Sequence, residues 1–164
     1  MYHFFLHTAE TTLPCLLPIR KTTPNPLHAN SMRGKLHIAL WLLLTGVKRG
    51  EYYLYELLKD GKVVSTAEVC TGHWQLPFLT IRMGAGKKDY HIGPCMTCPN
   101  ERGKGYYPML LQAIMNDLGT QNNYYMIVHE TNAPSLRGIA KAGFTRIGVG
   151  GKNKYGQYII TKKD

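Results

Sequence analysis

CPNERGKGYYPMLL, residues 98–111, is the stretch on which the reading of this chain turns. Before it, DYHIGPCMTC (residues 89–98) reads as a strand ending at Pro99, because proline cannot donate to a ladder. After it, Leu110, Leu111, Ile114, Met115 and Leu118 recur at helical spacing, which predicts a helix from near Gly103 to about Gly119. The quoted stretch is therefore a glycine-rich turn between a strand and a helix, where the first amides of the helix have no internal partner. Such a place suits a phosphate. Gly103 and Gly105 allow close approach of the backbone, Arg102 and Lys104 add positive charge, and the pyrophosphate of a nucleotide cofactor fits the combination. The order GxxxxGK[ST] is missing, which argues against a P-loop, and so is GxGxxG, which argues against a Rossmann site.

Working outward, EYYLYELL (51–58) and KVVSTAEVC (62–70) are β-rich runs around Lys59, Asp60 and Gly61, and Asp-Gly between such runs predicts a hairpin. GHWQLPFLTIRMGAGKKD (72–89) reads as a loop or irregular strand. Upstream, prolines at 14, 18, 24 and 26 interrupt any long periodic element. Residues 1–8 read as an edge strand, and residues 25–44 are expected to contain a helix entered near Pro26. Downstream, YYMIVHE (124–130) is a strand. Residues 134–142 read as a helix capped by Ser135 or Asn132 and stopped by Gly143. FTRIGVG and YGQYIITK then form a strand pair about a Gly-Gly-Lys-Asn turn. The pattern is that of one mixed α/β (α+β) domain over residues 1–164.

Composition agrees. The chain has 164 residues, 44% apolar and 18% charged, enough for one core and too few for two comfortable ones. The net charge of +10 concentrates anionic partners: residues 20–49 hold six basic residues and no acidic one, and residues 141–164 hold six against one. Charge alone does not choose among nucleotides, phosphorylated sugars and nucleic acid. Four cysteines are too few for a disulfide framework, and no secretory signal is evident, so a cytoplasmic setting is the expectation. The most apolar run, IALWLLL (38–44), falls short of the roughly 18 residues that a membrane span needs, and no membrane partner is expected.

The turn Arg102–Tyr107 followed by Pro-Met-Leu-Leu resembles the GNAT N-acetyltransferase motif [Q/R]-x-x-G-x-[G/A], with Arg102 and Gly105 in register and Tyr107 where that family usually has Gly or Ala. NAPSLRGIAKAGF (132–144) resembles the family's second motif, with Asn132, Ser135, Gly143 and Phe144 in register. The two lie about 30 residues apart, room for the helix and strand between them. The resemblance covers residues 89–148. It implies a central, mostly antiparallel twisted sheet with flanking helices, in which the strand around Cys95, Met96 and Thr97 splays from the YYMIVHE strand. The opening would receive the pantetheine arm of acetyl-coenzyme A through main-chain groups of Met96 and Thr97, a β-augmentation by a cofactor. By the same resemblance Arg102, Gly103, Lys104, Gly105, Tyr106 and Tyr107 hold the pyrophosphate, while Asn132 and Ser135 touch the pantetheine or adenosine side.

Acetyl transfer to an amine needs a group to take the amine's proton. The sequence offers Glu130 and His91, in that order of preference; strand alternation puts His91 on the side of Gly93 and Cys95 unless a bulge intervenes. Many family members carry a Tyr seven residues after the motif Asn as general acid. That position here is Ile139, which leaves Tyr106, Tyr107, Cys95 or direct departure of the thiolate into solvent. Cys95-x-x-Cys98 lacks a second CxxC or an HxxxH, so no metal is expected and two small strand side chains are the simpler reading.

YHIGPCMTCPNERGKGYYP further resembles a subset of the family associated with bacterial amino-sugar and surface-polysaccharide modification. It implies an amino-sugar or nucleotide-linked amino-sugar acceptor, in keeping with the positive field. A peptide amino terminus, a polyamine or an aminoglycoside remains open, and the positive charge disfavours the polyamine. The reading from another class is a non-catalytic domain of the same fold with a nucleotide or nucleic-acid partner. No aromatic platform, KH loop or zinc-finger spacing supports the nucleic acid. A homodimer is one assembly left open.

Overall fold

The structure is a computed structural model that describes residues 1–7, 15–23, 51–71 and 88–164. The helix expected within 25–44 and the segment 72–87 lie outside them. The described strands are β1 (Tyr2–His7), β2 (Ile19–Thr22), β3 (Tyr52–Lys59), β4 (Lys62–Thr71), β5 (Asp89–Thr97), β6 (Asn123–His129), β7 (Thr145–Lys152) and β8 (Tyr158–Lys163). A short 3-10 turn, Pro99–Glu101, precedes α1 (Tyr106–Leu118), and α2 (Ala133–Lys141) follows β6. The strands form one sheet in the order β2-β3-β4-β5-β6-β1-β7-β8, antiparallel throughout except for the β5–β6 pair. This is the mixed α/β, mostly antiparallel architecture that the sequence led us to expect.

Local chemistry explains the elements. Asp60 and Gly61 take φ of 50° and 74°, the doubly left-handed turn that matches strand twist and closes the β3–β4 hairpin. In α1, Leu110, Leu111, Ile114 and Met115 are all fully buried, each side chain contributing about 1.5–3 kcal/mol by leaving water. They pack with Tyr55, Leu57, Val69, Tyr90, Ile92, Tyr124 and, from α2, Ile139. The helix starts at Tyr106, not near Gly103, because Gly103 and Gly105 sit at φ 79° and 83°, outside the helical region. Past β7 the chain turns at Asn153, whose Oδ1 accepts from the amides of Tyr155 and Gln157, so the turn falls later than Gly-Gly-Lys-Asn.

Two expectations are corrected. Residues 2–7 form an interior strand, not an edge: β1 lies between β6 and β7 and pairs with both. Successive strand residues face opposite sides, and Phe4 and Phe5 are 1% and 7% exposed, so both faces are covered there, which an edge position rarely supplies. The second correction concerns His91. Val69 pairs with Ile92 and Ala67 with Cys95, so β5 sets Gly93 and Pro94 against the single residue Glu68. This bulge shifts the alternation by one, putting Cys95 on the core side with Tyr90 and Ile92 and turning His91 to the other face.

The bulge also opens the sheet. β5 pairs with β6 only from Asp89 to His91, opposite Asn123 to Tyr125, although both strands continue. Pro94 has no N–H to give, and the bend keeps β5 on β4 as far as Thr97 while its other side leaves β6. The splay expected between these strands is therefore present, with α1 starting just beyond its mouth.

Candidate functional site

At the mouth of the splay lies a groove of about 650 Å³. Its floor comes from the end of β5 (Cys95, Met96, Thr97), one wall from the turn into α1 (Arg102, Gly103, Gly105, Tyr106, Tyr107), the other from the first turns of α2, including Asn132 and Ser135. Nine of the ten residues expected to hold the cofactor thus meet in one place. Lys104 is the exception: its Nζ pairs with Glu101 Oε2 at 3.0 Å, and it does not line the groove.

Each wall is positioned by identifiable bonds. Arg102 Nε donates to the Thr97 carbonyl at 3.2 Å, tying the turn to the end of β5. Gly105 is the N-cap of α1 with no side-chain cap, and the first intrahelical bond runs from Met109 N to Gly105 O. The amides of Tyr106 and Tyr107 precede that bond, at the positive end of the helix dipole. Asn132 caps α2 by accepting from Ser135 N at 3.2 Å. Along β5, Cys98 N donates to Val64 O, so antiparallel alternation makes Met96 and Thr66 the next bonded pair. The N–H and C=O groups of Cys95 and Thr97 then point toward the splay, while the Met96 side chain, 65% exposed, reaches the groove.

Electrostatically the groove is basic. Arg137 and Lys141 line it beside Arg102, against Glu101, the one carboxylate among the described lining residues. These two were not singled out in the sequence, although their i, i+4 spacing puts them on one face of α2. Lys59 Nζ lies 5.7 Å from the Tyr106 ring. Deeper in, the Tyr107 hydroxyl donates to Met126 Sδ at 4.0 Å and lies beside the Cys95 thiol. Burial pushes the Cys95 thiol up to about 12, against a smaller opposite effect of Tyr107, so the thiol keeps its proton at neutral pH. Burial likewise raises the Tyr107 phenol, with Cys95 adding to it.

The other sequence candidates lie elsewhere. His91 is half-buried on the face opposite Cys95, with its ring beside Gly93. Glu130 follows the last residue of β6 and is exposed, its Oε1 3.0 Å from the Met1 amino nitrogen. Ile139 is fully buried in the core. Cys98 Sγ donates to Val63 O at 3.3 Å. Among the described residues, no three His, Cys, Asp or Glu side chains cluster as a metal site would, and no helix is long and apolar enough to cross a membrane.

A parallel strand pair splays beside a glycine-rich helix start, with the second motif on the facing helix. The chain belongs to the acetyltransferase (GNAT) family, whose model matches residues 20–144. Among solved structures it is similar to a GNAT-family acetyltransferase from Colwellia psychrerythraea, at TM-score 0.59 and 14% identity, covering 88% of this chain and 52% of that one. A tandem GNAT protein from the clavulanic acid biosynthesis pathway gives TM-score 0.54, 14% identity and coverage of 88% and 50%. A putative GNAT-family acetyltransferase from Novosphingobium aromaticivorans gives 0.53, 14% and coverage of 88% and 59%. At these identities the likeness is one of fold, and the chain spans between half and three-fifths of the length of these three proteins. No curated protein matches.

Proposed function

We propose that this chain moves an acetyl group from acetyl-coenzyme A to a primary amine by direct attack on the thioester. The observation that carries the reading is the convergence of both sequence motifs on one basic groove at the mouth of the β5–β6 splay. Arg102, Gly103, Gly105 and the first amides of α1 would take the pyrophosphate, with Lys104 lending charge from outside the groove. The main-chain groups of Cys95, in place of those of Met96 that face β4, and the Thr97 N–H would pair with the pantetheine amides, as an added strand would, while the Thr97 carbonyl stays with Arg102. Asn132, Ser135, Arg137 and Lys141 would face the cofactor from α2. Bound there, the coenzyme supplies an activated acyl carbon and a thiolate leaving group.

For the amine's proton, Glu130 and His91 remain the candidates, standing at two levels of the splay: His91 where β5 and β6 still pair, Glu130 beyond the end of β6. An amino sugar carried on a nucleotide is the acceptor the positive balance favours, because its phosphates would be steered by the same field.

The test is thermal melting with coenzyme A and acetyl-coenzyme A, in wild type and in Gly105→Trp. Ligand at about a hundred times Kd adds roughly 2.7 kcal/mol, or about 5–10 °C for a domain of this size. A rise in wild type alone supports the site, and thiol release with amino-sugar acceptors then tests the transfer. No rise at millimolar cofactor overturns the reading.

A further inference from the structure

On the face of the sheet opposite the α1 core, one row of paired residues crosses four strands: Tyr52 on β3, Cys70 on β4, His91 on β5 and Tyr125 on β6. Paired residues share a face, and so does Glu68, two positions before Cys70 on β4. Glu68 is the residue that Gly93 and Pro94 oppose at the bulge. It therefore stands level with the place where β5, paired with β6 for the last time at His91, begins to leave it.

The Tyr52 hydroxyl donates to Glu68 Oε2. Burial, and then that bond, raises the Tyr52 phenol, which keeps its proton and goes on donating. The Glu68 charge also raises the thiols of Cys70 and Cys95, so the carboxylate lies within electrostatic reach of both. Across the bulge Gly93 carries no side chain, and the His91 ring lies near enough that a Cβ on Gly93 would meet its Cε1 at 3.4 Å. Glu68 and the His91 ring thus flank the bulge from β4 and β5. Glu68 is half-buried, and among the described residues no Lys or Arg forms an ion pair with it. Arg20 and Glu56, further along the same face, pair with each other.

A pantetheine arm whose amides pair at Thr97 and Cys95 carries its thioester two methylenes past the second amide, toward Pro94 and Gly93. The cofactor groove is walled by the starts of α1 and α2, which leaves the other face of the sheet to the acceptor. Resting on the acyl-coenzyme A reading of the groove, we infer that Glu68 is the acceptor-binding carboxylate: at the bulge it pairs with the ammonium group of the incoming amine and holds the nitrogen beside the thioester. His91, a candidate for the amine's proton, stands on the other side of the same bulge. The ion pair selects acceptors that arrive protonated, on a chain whose net charge of +10 otherwise repels cations.

Thiol release from acetyl-coenzyme A with glucosamine as the amine, together with melting in coenzyme A, tests this in wild type, Glu68→Gln and Glu68→Asp. Glu68→Gln is expected to keep the wild-type rise in Tm with coenzyme A and the wild-type KM for acetyl-coenzyme A. Its KM for glucosamine should rise about ten- to a hundredfold, the usual effect of losing a hydrogen bond to a charged group. That deficit should shrink as the pH is raised past the pKa of the amine, because a neutral amine has no charge to pair, and Glu68→Asp should recover part of it. An unchanged glucosamine KM in Glu68→Gln overturns the inference. So does a deficit equal at every pH, or one accompanied by loss of the coenzyme A effect, either of which would make Glu68 a support of the sheet. Should Glu68→Gln fail to fold, Glu68→Thr, which suits a strand, carries the same comparison. A wild type whose Tm coenzyme A does not raise overturns the proposed function, and this inference with it. A wild type that binds coenzyme A but releases no thiol with glucosamine overturns the inference for an amino-sugar acceptor and leaves the cofactor site standing.

Discussion

The glycines at 103 and 105 and those at 148 and 150 stand in similar glycine-rich runs of the sequence but in opposite surroundings. A Cβ added at Gly103 or Gly105 would meet nothing within 4 Å. One added at Gly148 would meet Lys162 O at 2.4 Å, and one at Gly150 would meet Ile159 O at 1.9 Å. In β7 the missing side chain is space that the neighbouring strand β8 has already filled. In the turn before α1 it is space that no described protein atom fills, bordered by the first amides of α1 and by Arg102. The pair in β7 serves packing, and the pair before α1 leaves its space open. Gly138 belongs to both kinds, because its space is filled by the Tyr107 ring, a side chain of the groove itself.

The comparison is broken most severely at Gly150. Gly150→Ala forces backbone apart, with an expected cost of about 3 kcal/mol, or roughly 6–12 °C in Tm. Its neighbour Gly151, whose Cβ would meet nothing, is the control, and Gly151→Ala is expected within about 0.5 kcal/mol of wild type. Equal melting of the two variants would show that β8 is not seated against β7 as described. Next comes Gly138→Ala, where only a ring must give way. It is expected to cost about 2 kcal/mol by overpacking, and most of that cost should vanish in a Tyr107→Ala background. Additive effects would mean that the ring does not rest on Gly138. Gly105→Ala is milder, about 1 kcal/mol for a side chain at positive φ. There the stability loss should be small beside the loss of cofactor-induced stabilisation, and the opposite order would make the turn structural.

These differences set how much could be read in advance. The hairpin at Asp60-Gly61, the apolar stripe of α1 and the two motifs were legible because each rests on local spacing. The interior place of β1 was not, since pairing partners more than a hundred residues away decide it: Tyr2 pairs with His129 on one side and Gly150 on the other. The face of His91 was hidden for a related reason. Pro94 signals a break in the ladder, but only the register against β4 shows that Gly93 and Pro94 oppose one residue and invert all that precedes them. Within the site, the place of the glycine-rich turn between β5 and α1 was readable, and so were most of the residues that line the groove there. Arg137, Lys141 and the seat of Tyr107 were not, because they depend on which face α2 turns toward α1.

The smallest expected effect lies where β1 meets the stop of α2. His7 is 5% exposed, its Nδ1 has no hydrogen-bond partner among the described residues, and its ring packs against Phe144 at 5.3 Å. Nε2 lies where a Cβ on Gly143 would come within 3.2 Å. Burial lowers the pKa of this imidazole below its ordinary 6.5, so the folded chain holds it neutral while the unfolded chain protonates it. The unfolded state then binds more protons, and stability rises with pH between the lowered value and 6.5. It is fully present above that window and is lost as the pH falls through it. The carboxylates with lowered values, Glu51, Glu130 and Asp117, act in the same direction, but only below their ordinary 4.5, 4.5 and 3.8. Melting from pH 7 down to roughly pH 5 therefore leaves these carboxylates out of the comparison of wild type with a His7 variant. Wild type should lose Tm over that range more steeply than His7→Leu. Parallel curves would mean that His7 is solvated or paired in solution, and that the junction of β1 with Gly143 and Phe144 is more open than its packing implies.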